Sequence, residues 1–117
     1  MNSQESKTLT KNERLCGERN ISTLIKNGKF IKGESLRLCY YENTDIEHNR
    51  IMVSVPKKLF KRAVKRNLLK RRIRESYRKQ KPSVSDKNFD FLFIYISKRE
   101  SSYESIYKDV EKLLKSI

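Results

Sequence analysis

At 117 residues the chain has room for one hydrophobic core, and 28 Lys and Arg against 14 Asp and Glu leave it a formal charge of +14, which favours a polyanionic partner. Residues 57–81 hold 13 basic residues and a single acid, Glu75, so nearly all of the excess is concentrated where counterion release at a phosphate backbone would use it. Cys16 and Cys39 have no CxxC spacing and His48 is alone, which argues against a structural zinc; no apolar run reaches the roughly 18 residues of a bilayer span, so a soluble, cytoplasmic protein with no membrane partner is expected.

Residues 1–13 are polar, mixed in charge and almost without apolar anchors, as a flexible tail would be, leaving 14–117 as one domain. Ile21, Leu24 and Ile25 recur at helical spacing across Glu18–Asn27, and Gly28 follows as a stop. Phe30 and Ile31 start a short strand. Leu36, Leu38 and Tyr40 then alternate with Arg37, Cys39 and Tyr41, as a strand with two unlike faces requires. Ile51, Val53 and Val55 alternate likewise, and Pro56, without a ladder donor, ends that strand.

The basic stretch from Lys57 to Lys81 contains helix formers and no Gly or Pro, and predicts a long helix with an irregular entry. At 100° per residue, Asn67, Lys70, Arg71, Arg74 and Arg78 share a cationic face, while Leu69, Ile73 and Ser76, with Tyr77 at the margin, lie opposite and can pack. Solvated helix faces interleave Glu with Lys; this one does not, so phosphate is the expected occupant, held bidentately by Arg. Residues 82–87 read as a turn. The unbroken run Phe91–Ile96 marks a central strand covered on both sides. Ser101 with Glu104 reads as a capping box before a helix carrying Tyr103, Ile106, Tyr107, Val110, Leu113, Leu114 and Ile117 on its apolar face. The order of elements predicts an α+β sandwich with helices on a sheet of about four strands.

The string Ala63-Val64-Lys65-Arg66-Asn67-Leu68-Leu69-Lys70-Arg71-Arg72-Ile73-Arg74-Glu75 resembles the RNR signature of the protein subunit of bacterial ribonuclease P, meeting AVxRNxxKRxxRE at every fixed position. Arg14-Leu15, Gly28, Ser54-Val55-Pro56-Lys57-Lys58, Asp90 and Ser102-Tyr103-Glu104 stand at further landmarks of that family. The resemblance implies a two-layer αβββαβα sandwich like ribosomal protein S5 domain 2, with a left-handed crossover at the basic helix. It implies a non-catalytic subunit of an endoribonuclease whose RNA holds the catalytic Mg²⁺ and removes the 5′ leader of precursor tRNA. The protein itself would bind no cofactor or metal. Its partners would be the catalytic RNA and precursor tRNA.

Carried over by position, Arg66, Asn67, Lys70, Arg71 and Arg74 would contact the catalytic RNA, with Lys57, Lys58, Lys61, Arg62 and Lys65 flanking them and Arg78 one turn on. Arg14, Ile21, Ile25, Tyr40 and Tyr41 would border the leader cleft. Ile21 and Ile25 stand where relatives often carry aromatics, so the leader would be gripped by Tyr40 or Tyr41, or those isoleucines would simply be core. No Ser-His-Asp set, Cys-His pair or carboxylate cluster is apparent in the sequence. A ribosomal protein of similar architecture would explain the charge but not the full signature, and DNA is not expected because no heptad follows to dimerise the basic helix.

Overall fold

The computed structural model describes residues 18–44, 48–80 and 88–117, with side chains from Ser22 onward. Arg14, Cys16, the tail at 1–13 and the turn at 82–87 lie outside the described residues. The chain runs α1 (Glu18–Asn27), β1 (Lys29–Lys32), β2 (Leu36–Glu42), β3 (Arg50–Ser54), α2 (Ala63–Gln80), β4 (Phe89–Tyr95) and α3 (Tyr103–Lys115). This is the expected order, and the sheet has four strands in the order β1-β2-β4-β3. Strand β4 is central: it pairs antiparallel with β2 and parallel with β3, so α2 is the crossover of a parallel unit.

The alternation in β2 decides the two faces of the sheet. Leu36 and Leu38 join Phe89, Phe91, Phe93 and Tyr95 of β4 and Ile51 and Val53 of β3 in the main core, against Leu69, Ile73 and Tyr77 of α2 and Ile106, Val110, Leu113 and Leu114 of α3. Burying side chains of this size stabilises the fold by about 2 kcal/mol each. On the other face Cys39 and Leu92 pack beneath Leu24 of α1, with Tyr41, Met52 and Ile94 partly covered. Strand β4 thus meets helices on both sides, which is why its sequence does not alternate in polarity.

Two buried carboxylates hold the strands in place. Asp109 of α3 reaches across to the β1–β2 turn and accepts from the backbone N–H groups of Glu34, Ser35 and Leu36 at 3.1, 3.0 and 2.9 Å. Gly33 is required there, because a methyl group would stand 2.9 Å from Asp109 Cγ. Asp90 accepts a two-pronged pair from Arg50 at 2.7 and 2.9 Å, plus Asn43 Nδ2 at 3.1 Å, and so ties β4 to β3 and to the loop after β2.

The α3 cap lies one residue later than the sequence suggests. Ser102, not Ser101, accepts from Ser105 N, at 3.2 Å. Ser101 is held in the preceding loop: its N–H donates to the Tyr95 hydroxyl at 2.9 Å, and its Oγ lies 2.9 Å from Ser35 Oγ. The Tyr95 hydroxyl in turn donates to the Arg99 carbonyl, so the β4–α3 junction is built around one buried ring.

Candidate nucleic-acid interface

Helix α2 is fixed by its inner side. Leu69, Ile73, Ser76, Tyr77 and Gln80 are buried. Tyr77, fully inside rather than at the margin, meets the rings of Phe91 and Phe93 at 5.9 and 6.1 Å. The Ser76 hydroxyl is satisfied by the Arg72 carbonyl at 2.7 Å, and Gln80 Nε2 donates to the Tyr107 carbonyl at 3.1 Å, fastening the end of α2 to α3. A helix anchored in this way presents its other side without rotating.

The outer side separates the cations into three groups. Asn67, Arg71 and Arg74 are exposed along successive turns with Lys70 beside them, and Lys57, Lys58, Lys61 and Arg62 are exposed on the entry to the helix. Among the described residues none of these cations forms an ion pair with an acid. Arg66 belongs to a second group: its guanidinium turns back and donates to the carbonyls of Phe60 and Lys61, each at 2.8 Å, so it shapes the entry loop as well as flanking the ridge. Lys65 and Arg72, seven residues apart, form the third group on the side toward α3, where Glu100 meets them at 2.5 and 3.2 Å. Arg72 also donates to the Ser101 carbonyl at 2.7 Å. Lys65, expected beside the ridge as a flanking contact, is engaged by Glu100 of the β4–α3 loop. Arg78 keeps its place but is partly offset by Glu75 at 2.5 Å.

These pairs pull both acids down. Glu100 titrates below the usual carboxylate range because Lys65, then Arg72, donate to it, and Glu75 does so because Arg78 donates to it, helped by the charges of Lys79 and Arg71. Both acids therefore stay ionised at neutral pH, and on the outer side of α2 the cations without an acidic partner include the Lys70–Arg71–Arg74 ridge beside Asn67 and the loop before it.

The second candidate surface is the α1 side of the sheet. Ile25 is 51% exposed, so it is not core; the buried position of α1 is Leu24. The side chain of Ile21 lies outside the described residues. Tyr40 and Tyr41 do not act together: adjacent strand residues face opposite ways, and the structure puts Tyr41 beside Cys39 and Met52 under α1 while Tyr40 packs edge-on to Phe89 at the margin of the main core. Only Tyr41 can border an α1 groove. The sequence reading missed Phe30, paired with Cys39 across the β1–β2 ladder and 41% exposed, with the Arg37 guanidinium 4.4 Å above its ring. Its signal was the cross-strand register, which places Phe30, Cys39, Leu92 and Met52 in one row and Lys32, Arg37 and Ile94 in the next. Cys39 and Leu92 of that row are buried beneath Leu24, so Phe30, with Arg37 beside it, is the member of the row whose exposed ring can meet an unpaired base.

Other chemistry is poorly provided for. Cys39 is buried, contacts the Leu24 carbonyl at 3.5 Å, and burial pushes its thiol above the ordinary range, so it is a poor nucleophile. No three of His, Cys, Asp and Glu among the described residues gather as a metal site requires. No helix among them is long and apolar enough to cross a membrane.

The family model for ribonuclease P matches residues 9–117. The ribonuclease P protein component of Borrelia hermsii is 39% identical over 83% of this chain and 81% of its own length, and that of Chlorobium phaeobacteroides is 32% identical over 94% and 88%. Among solved structures, the ribonuclease P protein of Thermotoga maritima superposes with a TM-score of 0.79 at 28% identity, covering 90% of this chain and 97% of that one. The Staphylococcus aureus protein gives 0.75 at 27% identity, covering 89% and 94%. A signature helix displayed on this sandwich, a family match across nearly the whole chain and bacterial relatives matched over four fifths or more of their length agree: the chain belongs to the ribonuclease P protein family, as the protein subunit of that endoribonuclease.

Proposed function

We propose that the α2 ridge seats the catalytic RNA of ribonuclease P while the groove between α1 and the sheet holds the unpaired 5′ leader of precursor tRNA. The observation that carries this reading is the row Asn67, Lys70, Arg71 and Arg74, turned outward on a helix whose other side is locked into the core. Contacts of this kind position a phosphate backbone and read little sequence. In this reading the RNA holds the Mg²⁺ and carries the chemistry of hydrolysis. The protein neutralises phosphates where catalytic RNA and substrate converge, which raises substrate affinity and lowers the divalent ion concentration the RNA needs. The setting is the bacterial cytoplasm.

The test is cleavage of a precursor tRNA by the organism's own catalytic RNA across a Mg²⁺ titration, with and without the purified protein. The protein is expected to shift the midpoint to lower Mg²⁺; an unchanged midpoint would refute the proposal. In the same assay Phe30→Ala is expected to weaken binding of precursor tRNA about tenfold, from the loss of one stacked base. A mature tRNA without a leader should bind wild type and variant alike. Equal leader affinity for wild type and variant would remove Phe30 from the groove.

A further inference from the structure

Lys65, Arg72 and Lys79 lie seven residues apart on α2 and so form one row along the side that faces α3. Glu100 pairs with the first two. Lys79 forms no ion pair among the described residues and instead sits 5.3 Å over the ring of Tyr103. Beside it opens a cavity of about 450 Å³ lined by Lys79, Tyr103, Glu104, Tyr107 and Lys108, within the roughly 300–1,000 Å³ span of small-ligand sites. The rings of Tyr103 and Tyr107 stand 6.0 Å apart at 51° in tilted contact with each other, so together they form one aromatic wall of the cavity. The Tyr103 hydroxyl is buried and has no hydrogen-bond partner among the described residues, so it is available to one.

Aromatic faces, two ammonium groups, one carboxylate and a spare hydroxyl are the parts of a nucleotide site: the rings take a base, the lysines a phosphate, and Glu104 can accept from a base amino group. Lys79 follows Arg78 directly on α2 and so lies about 100° round the helix from it, which puts the cavity on the face adjoining the end of the ridge. We infer that this α2–α3 cleft takes one unpaired nucleotide of the catalytic RNA, extending the RNA footprint from the ridge of α2 onto α3. The inference rests on the proposed seating of that RNA along α2. An RNA strand is favoured over a free nucleotide because its flanking phosphates would already be held by Arg74 and Arg78.

The experiment measures binding of the full-length protein to its catalytic RNA over a range of salt concentrations. Tyr107→Ala is expected to weaken binding about tenfold with the salt slope unchanged, and Tyr107→Phe to restore it, because stacking needs the ring alone. Lys79→Ala is expected to weaken binding and reduce the slope by about one. Tyr103→Phe supplies a readout that a structural role would not give: the free protein should melt no lower than wild type, having lost an unsatisfied hydroxyl, while RNA affinity falls about threefold. If Tyr107→Ala and Lys79→Ala bind as wild type while Arg71→Ala is weakened, the cleft is overturned and the ridge stands. If Arg71→Ala also binds as wild type, the seating along α2 fails and the cleft with it. Competition by a free nucleoside monophosphate at micromolar concentration would point to a small-molecule site and overturn the assignment to RNA.

Discussion

Replacing Lys70, Arg71 and Arg74 together by alanine is expected to weaken binding to the catalytic RNA roughly a hundredfold and to reduce the slope of log affinity against log salt by about three. The magnitude follows from three phosphate contacts of about 1 kcal/mol each, with every 1.4 kcal/mol worth a factor of ten. The three side chains are outward or marginal on α2, and none belongs to the packed set Leu69, Ile73, Ser76, Tyr77 and Gln80. Removing them also relieves repulsion along adjacent turns, so the variant should melt at or above the wild-type temperature. Salt-dependent binding and thermal unfolding of one preparation therefore separate lost contact from lost fold. A salt slope equal to that of wild type would mean that these cations do not touch phosphate. Arg66→Ala should behave differently, because its guanidinium is tied to the Phe60 and Lys61 carbonyls and its loss loosens the entry loop as well.

Asp109→Ala is expected to produce the largest loss of stability, about 4 kcal/mol. The carboxylate is 5% exposed and accepts three backbone N–H groups of the β1–β2 turn, all of which lose their partner in the variant. For a domain of this length the melting temperature should fall by about 15 °C, a large part of its stability. Asp109→Asn keeps an acceptor and should lose less. Gly33→Ala attacks the same contact from the other side and should be destabilising for lack of space. Thermal unfolding followed by circular dichroism reads all three, and an alanine variant melting within a degree or two of wild type would show that the turn does not need the carboxylate.

Much of the fold was legible because local pattern and tertiary placement agree. The alternation of β2 named its two faces, the unbroken apolar run of β4 named the central strand, and the apolar repeat of α3 named its buried side. The ridge was legible for the same reason: at about 100° per residue Asn67, Lys70, Arg71 and Arg74 fall away from the packing positions Leu69 and Ile73, and one acid in 25 residues leaves that side cationic. Asp109 gave no signal, since an acid inside an amphipathic helix looks solvated until the turn it captures, more than seventy residues away in sequence, is known. The clamp of Glu100 on Lys65 and Arg72 was hidden likewise, because pairing across 28 and 35 residues depends on where the β4–α3 loop is folded. Tyr40 and Tyr41 were separable by alternation alone, but which face α1 covers is a tertiary fact. The α3 cap shifted by one residue because the hydroxyl of Tyr95 competes for Ser101, a contact no capping pattern contains.

The seating of RNA on α2 is tested most directly by acetylation of surface lysines in the unmodified protein, free and bound to its catalytic RNA, read by mass spectrometry. The account predicts that Lys57, Lys58, Lys61 and Lys70 become protected in the complex while Lys112 and Lys115, exposed on the far end of α3, react as they do in the free protein. Lys70 reacting equally in both states, with protection appearing at Lys112 and Lys115 instead, would contradict it.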